Sequence, residues 1–138
     1  MKLGQSKEYG GRALPFMDHL GVERVPDDSG RALIALDVRP EHRNGWKAAH
    51  GGILMSLMDS VMSLAVRLHT NNAPASIITI DMSIKFISPA MGPRIIAEGW
   101  VIGGGRSTLF CEAEVRDAEN KLVAKSMGTL KPIRKKEA

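Results

Sequence analysis

Aromatic residues make up only 4% of this 138-residue chain, and cysteine occurs once, at Cys111. A single thiol allows neither an internal disulfide framework nor a cysteine-spaced zinc site. Reduced surroundings fit such usage, and the expected location is the cytoplasm. The N-terminus shows no basic segment followed by an apolar stretch, and no uninterrupted apolar run approaches about 18 residues, so neither secretion nor membrane spanning is expected. Few rings also leave little surface for stacking bases. The net charge of +4 is concentrated, with Lys131, Arg134, Lys135 and Lys136 inside the last eight positions. A basic patch joined to stacking rings or a reading helix is missing, so nucleic acid is not an expected partner. A phosphorylated small molecule still fits. What the chain does have is 43% apolar residues, enough for one core in a length too short for two ordinary domains. Eight methionines supply adaptable filling where rings are scarce.

The pattern predicts a single domain over residues 12–132, with 1–11 and 133–138 as flexible termini. Pro15 opens a short helical stretch that Gly21 ends. Two strands, 22–25 and 31–38, flank the turn-rich run Pro26-Asp27-Asp28-Ser29-Gly30. Residues 40–49 have no period and form an unusually long loop, which in a small domain is often functional. From Gly51 to about Leu68, Ile53, Leu54, Leu57, Met58, Val61, Leu64, Ala65 and Leu68 recur at helical spacing. Asn71, Asn72 and Pro74 stop that helix. Residues 76–87 then alternate, with Ile78, Ile80, Met82, Ile84 and Phe86 expected on one face and Thr79, Asp81, Ser83 and Lys85 on the other. Three more strands follow at 94–102, 108–115 and 122–130, joined by hairpins at Gly103-Gly104-Gly105 and at 117–120. The order implies an α+β fold with a mostly antiparallel sheet around one dominant helix.

On a helical wheel the apolar stripe centres between Leu57 and Val61, and Asp59 falls on the opposite side. A solvated carboxylate would be the ordinary explanation. Its neighbours at i−4, i+3 and i+7 are, however, Met55, Met62 and Val66, a second apolar strip that a ligand or a partner subunit would cover. Dehydration strengthens a carboxylate as a base, so Asp59 is a candidate general base or nucleophile. Before it, Gly51 and Gly52 present backbone N–H groups at the positive end of the helix dipole, a geometry suited to an oxyanion. The same pair could simply make a tight entry turn, and His50 beside them could be structural. Cys111 lies in a distant strand, and His19, His42 and His69 share no ligand spacing, so no triad and no metal site is expected. Gly103-Gly104-Gly105-Arg106 lacks the Lys-Ser/Thr ending of a phosphate loop.

Three stretches together, His50-Gly51-Gly52 through Met58-Asp59, Thr79-Ile80-Asp81-Met82-Ser83-Ile84-Lys85-Phe86-Ile87-Ser88-Pro89-Ala90, and Lys121-Leu122-Val123-Ala124-Lys125, resemble the hotdog-fold acyl-CoA thioesterases of the phenylacetate-pathway, PaaI-like family. The resemblance covers roughly residues 12–132. It implies a long central helix wrapped by a curved, mostly antiparallel sheet, with two such units paired and the active sites between them, usually as a dimer of dimers. It also implies roles: Asp59 as base or nucleophile, the Gly51 N–H polarising the thioester carbonyl, Asn44 assisting, Thr79 orienting the attacking water, and His50 supporting loop and substrate. Gly52, Met55 and Met62 would line the substrate. Arg106, Ser107 and Thr108 would meet the coenzyme A phosphates, with Lys131 and Arg134 as weaker candidates. Coenzyme A enters only as part of the substrate, and no cofactor is implied. Aryl and medium-chain acyl groups both remain open. Two rivals share the fold: an acyl-thioester dehydratase or hydratase, which needs a paired His and acid across the interface, and a non-catalytic acyl-CoA-binding module.

Overall fold

The computed structural model describes residues 1–71 and 74–134. The helix-stopping Asn72 and the basic residues Lys135 and Lys136 lie outside the described residues, as does most of the expected flexible tail 133–138. Helix α2, Gly51–His69, is the axis of the molecule. Its N-terminus is capped by His50, whose Nδ1 accepts the Gly52 N–H at 2.8 Å. Leu54, Leu57, Met58, Val61, Leu64 and Ala65 are all buried, the stripe expected from the 3.6-residue period. By length and mean hydropathy α2 is apolar enough to cross a membrane, although Asp59 and Arg67 interrupt its apolar run. Strands on several sides cover it instead, so its hydropathy is that of a core helix.

The strands are β1 (Glu23–Arg24), β2 (Ala32–Asp37), β3 (Ser76–Phe86), β4 (Arg94–Gly104), β5 (Leu109–Arg116) and β6 (Leu122–Ile133). They form one sheet in the order β1-β2-β4-β5-β6-β3, every neighbouring pair antiparallel. α2 packs against β2 through β6, so the sheet wraps the helix in the hotdog arrangement. The helix can lie this close because two facing residues have no side chain. A Cβ on Gly99 would stand 2.7 Å from the Val61 carbonyl oxygen, and one on Gly128 would stand 2.9 Å from the Met62 Cε. Alternation along β5 sends Leu109, Cys111, Ala113 and Val115 inward. Burial pushes the Cys111 thiol up to about 12, which leaves it an inert packing group.

Two expectations are corrected. The strict alternation of 76–87 breaks at a bulge: Thr79 pairs with Leu130 and Asp81 with Thr129, leaving Ile80 as an extra residue. An inserted residue inverts the faces beyond it. Ile77 therefore shares the core side with Met82 and Ile84, while Ile78 and Ile80 are exposed. The N-terminal stretch 1–11, expected to be flexible, packs onto the body. Leu3 is fully buried, Lys2 bridges Glu23, and the Arg24 N–H donates to the Met1 carbonyl. The stretch is mostly polar, and of its apolar residues Met1 stays exposed while Leu3 and Tyr9 insert. Helix α1, Pro15–Leu20, completes this cover, closed by Gly21 in the left-handed conformation at φ 86°.

Candidate active site

The bulge in β3 determines the first element of the site. By inverting the strand it turns Thr79 toward α2, where its hydroxyl donates to Asp59 Oδ1 at 2.5 Å. One carboxylate oxygen is thereby held and the other left for a substrate or water. Asp59 and Thr79 open onto a cavity of about 270 Å³ whose wall continues along the helix as Ser60, Ser63 and Arg67. Tyr9, Arg12, Leu14 and Met17 cover it. Ser60 is fixed there by donating to the Met17 Sδ at 3.0 Å.

This corrects the second apolar strip read from the sequence. Met62 and Val66 are fully buried, and Met62 fits against Gly128 and Ser126 inside the sheet, so its expected place on the substrate surface is not borne out. The sheet wraps farther around the helix than a single apolar stripe requires. What accompanies Asp59 at i+4 and i+8 is polar, Ser63 and Arg67. Only Met55 of the three methionine and valine neighbours is exposed, at 46%.

The second element lies at the start of α2. Asn44 organises its own loop: its Oδ1 accepts from Trp46 N at 2.9 Å and Ala48 N at 3.2 Å. Its NH2 group meets no acceptor among the described residues and borders a depression of about 420 Å³ shared with Trp46, Gly51, Leu54, Phe86 and Pro89. His50 N donates to the His42 carbonyl at 2.8 Å, which ties the helix start to that loop. Buried His42 accepts the Arg39 N–H at Nδ1, and burial together with the Arg39 charge holds its pKa below the ordinary value. The Gly52 N–H is taken by the His50 cap. The Gly51 N–H donates to nothing among the described residues, so of the two glycines Gly51 is the one free to meet an oxyanion.

Asp59 and Gly51 thus stand on one helix, eight residues or about 12 Å apart, and border different cavities. The ridge between them is apolar and exposed: Met55, Phe86 at 55% and Ile87 at 52%. β3 itself is a free sheet edge, with Ile78 and Ile80 exposed along it.

Arg106, Ser107 and Thr108 lie at the β4–β5 turn. Leu109 pairs with Leu130, which pairs with Thr79, so this turn sits two strands across from Thr79, about 10 Å away. Arg134 joins it by donating to the Arg106 carbonyl at 3.1 Å, whereas nothing ties Lys131 to the turn. Among the described residues no three His, Cys, Asp or Glu side chains gather as metal ligands would.

Sequence reasoning missed Tyr9, Arg12, Ser63 and Arg67. Arg67 and Ser63 carried a usable signal, the i+8 and i+4 spacing from Asp59. Tyr9 and Arg12 carried none, since only the fold brings the N-terminal stretch over the helix.

Comparison with known proteins identifies the family. The thioesterase superfamily pattern matches residues 47–124, a span that holds Gly51, Asp59, Thr79 and Arg106 but begins after Asn44. A candidate esterase of Saccharolobus solfataricus is 32% identical over 117 residues, covering 85% of this chain and 82% of that protein. The acyl-coenzyme A thioesterase PaaI of Escherichia coli is 31% identical over 106 residues, covering 76% of this chain and 73% of that protein. A solved structure of the phenylacetic acid degradation protein PaaI from Thermus thermophilus superposes with a TM-score of 0.75 at 29% identity, covering 86% of this chain and 99% of that one. The chain belongs to the thioesterase superfamily.

Proposed function

We propose that this member of the thioesterase superfamily hydrolyses acyl-coenzyme A thioesters to the free acid and coenzyme A, at a site completed by two copies of the chain. The observation that carries the reading is the separation of Asp59 from the Gly51 N–H by about 12 Å along one helix. Both must stand about 3 Å from one reacting carbonyl group or its water. A second copy meeting the exposed ridge of Met55, Phe86 and Ile87 would bring its own Gly51 and Asn44 to Asp59.

In that site the free oxygen of Asp59 takes a proton from water as the water adds to the thioester carbon. Thr79 keeps the carboxylate aimed. The carbonyl oxygen, now an oxyanion, is held by the partner's Gly51 N–H and by the Asn44 amide. Collapse of the intermediate breaks the carbon–sulfur bond, and the proton held by Asp59 passes to the departing thiolate. Direct attack by Asp59 would give a mixed anhydride that water then opens. Arg106 with Ser107 and Thr108 would receive phosphates of coenzyme A.

The edge of β3 and the ridge beside it would form the dimer. Ile102, Phe110 and Met127, exposed together on the outer face of the sheet, would serve a second contact between dimers. A cytoplasmic tetramer is the assembly we favour. The relatives named as thioesterases favour hydrolysis over hydration, and release of free thiol against loss of enoyl absorbance separates the two. Aryl and medium-chain thioesters form the first substrate panel.

The split site is tested by complementation. Gly51→Pro deletes one N–H at the first helical position, where proline is well tolerated, and the extended ψ of 143° at His50 suits the residue before it. It should lower kcat roughly 10²–10³-fold. Mixed after co-expression with Asp59→Asn, the two inactive proteins should recover roughly a quarter of wild-type activity, since half of randomly paired dimers carry one intact site of two. No recovery above either parent would remove the shared site.

A further inference from the structure

The cavity beside Asp59 contains a buried cation, Arg67, that forms no salt bridge among the described residues. Arg67 is 6% exposed, and its Nε has no hydrogen-bond partner. The nearby acid, Glu8, is engaged by Arg24 at 3.6 Å. The Arg67 guanidinium instead lies over the Tyr9 ring, 4.8 Å from its centroid. Stacking on a ring compensates part of the lost hydration of a guanidinium and leaves the Arg67 Nε without an acceptor among the described residues. A buried cation is ordinarily paired and hydrogen-bonded, because burial otherwise strips its hydration without replacement. Here a guanidinium with no acidic partner among the described residues lines the same cavity as Asp59 and Thr79.

The rest of the lining points the same way. Ser63 lies between Asp59 and Arg67 on the helix, and Tyr9 borders the same space. Burial pushes the Tyr9 phenol up, so it remains a neutral donor. Arg12 adds a second cation to the wall, anchored by donating to the Ala75 carbonyl at 3.2 Å. The cavity therefore has a carboxylate at one end and guanidinium and hydroxyl donors at the other. Arg67 follows Asp59 by eight residues, about 12 Å along the axis, and a helical side chain leans back toward the N-terminus, which shortens the gap.

We propose that the acyl group accepted at this site ends in a carboxylate, so that the substrates are mid-length dicarboxylic acids joined to coenzyme A through one end. The thioester carbonyl sits at Asp59, and the distal carboxylate forms a forked ion pair with Arg67, supported by Tyr9 and Ser63. This rests on the thioester-hydrolase reading above. Arg67 and Tyr9 are then specificity determinants, absent from the bond-breaking step.

The test compares octanoyl-CoA with suberoyl-CoA, equal in length and differing only in the terminal group, with hexanoyl-CoA and adipoyl-CoA as the shorter pair. In the wild type, kcat/KM should favour the carboxylate-ended member by roughly 10- to 100-fold, the worth of hydrogen bonds to a charged group. Arg67→Met should bring that ratio to about one. Its thermal midpoint should equal or exceed that of the wild type, because a buried unpaired charge has been replaced by a side chain that packs. Should Arg67→Met fail to fold, Arg67→Lys keeps the charge without the fork and should lower the ratio without inverting it. Equal rates on both thioesters, or a preference that survives in either variant at its wild-type size, overturns the proposal. So does an acidic side chain of the partner copy found paired with Arg67. Binding of the same pairs to Asp59→Asn gives a second readout. If no thioester is hydrolysed, the activity reading fails alone, and tighter binding of suberoyl-CoA than octanoyl-CoA still decides this inference.

Discussion

The middle of α2 and its N-terminus carry the two halves of the site, and they are built differently. In the middle, the proposed chemistry belongs to side chains: Asp59 held by Thr79 at 2.5 Å, with Ser63 and Arg67 in the same cavity. At the start, it is proposed for the backbone, with the Gly51 N–H displayed by a cap at His50 and a loop that Asn44 and His42 hold in shape. Side-chain function tolerates a strand shift only if the bulge goes with it. Backbone function tolerates any side chain that leaves the helix start where it is. The two halves therefore fail in different ways.

Asp59→Asn should show the sharpest failure, a loss of roughly 10²–10⁴ in kcat with an unchanged thermal midpoint, as expected for removing a positioned base. Full activity in a well-folded variant would place the chemistry elsewhere. Thr79→Val removes only the hydroxyl that aims the carboxylate, and should cost roughly 10- to 100-fold in kcat with little change in KM. An effect confined to KM would mean that Thr79 serves substrate binding instead.

Gly99→Ala acts on both halves through the helix they share. The added methyl would meet the Val61 carbonyl, which cannot yield, and overpacking of this kind costs about 1–3 kcal/mol. Denaturant titration reads the loss. If stability drops while Asp59-dependent activity per folded molecule is unchanged, the helix adjusts without disturbing Thr79. The smallest effect belongs to the N-terminal half. Buried His42 has a folded-state pKa below its unfolded value near 6.5, so the unfolded chain binds more protons just below that pH. Stability should be full above it and decline as pH falls through the window beneath. His42→Asn, which keeps an acceptor for the Arg39 N–H, should flatten this slope in a series of unfolding curves, and an unaltered slope would assign it to another group.

Much of this was legible in the residues. The period of 53–68 located the core helix, the turn chemistry at 103–105 and 117–120 located two hairpins, and Asp59 stood out as an acid with apolar neighbours at i−4, i+3 and i+7. Gly51 with Gly52 and His50 stood out at the helix start, whereas Asn44 and Thr79 followed from the resemblance. Three features were not legible. The bulge at Ile80 leaves no mark in the stretch that alternates from Ile78 to Phe86, since register depends on the partner strand β6. Met62 read as exposed because how far a sheet curls around a helix depends on Gly99 and Gly128, distant in sequence. The N-terminal eleven residues read as loose because two anchors, Leu3 and Tyr9, are too few to form a period.

Sequence alone determined that Asp59 would ride on a helix beginning at His50-Gly51-Gly52, because helical period and capping are local properties of the chain. Tertiary structure decided what Asp59 would face. Contacts between residues far apart in sequence place Thr79, Tyr9 and Arg67 around it, and the length of the helix keeps Gly51 out of its reach.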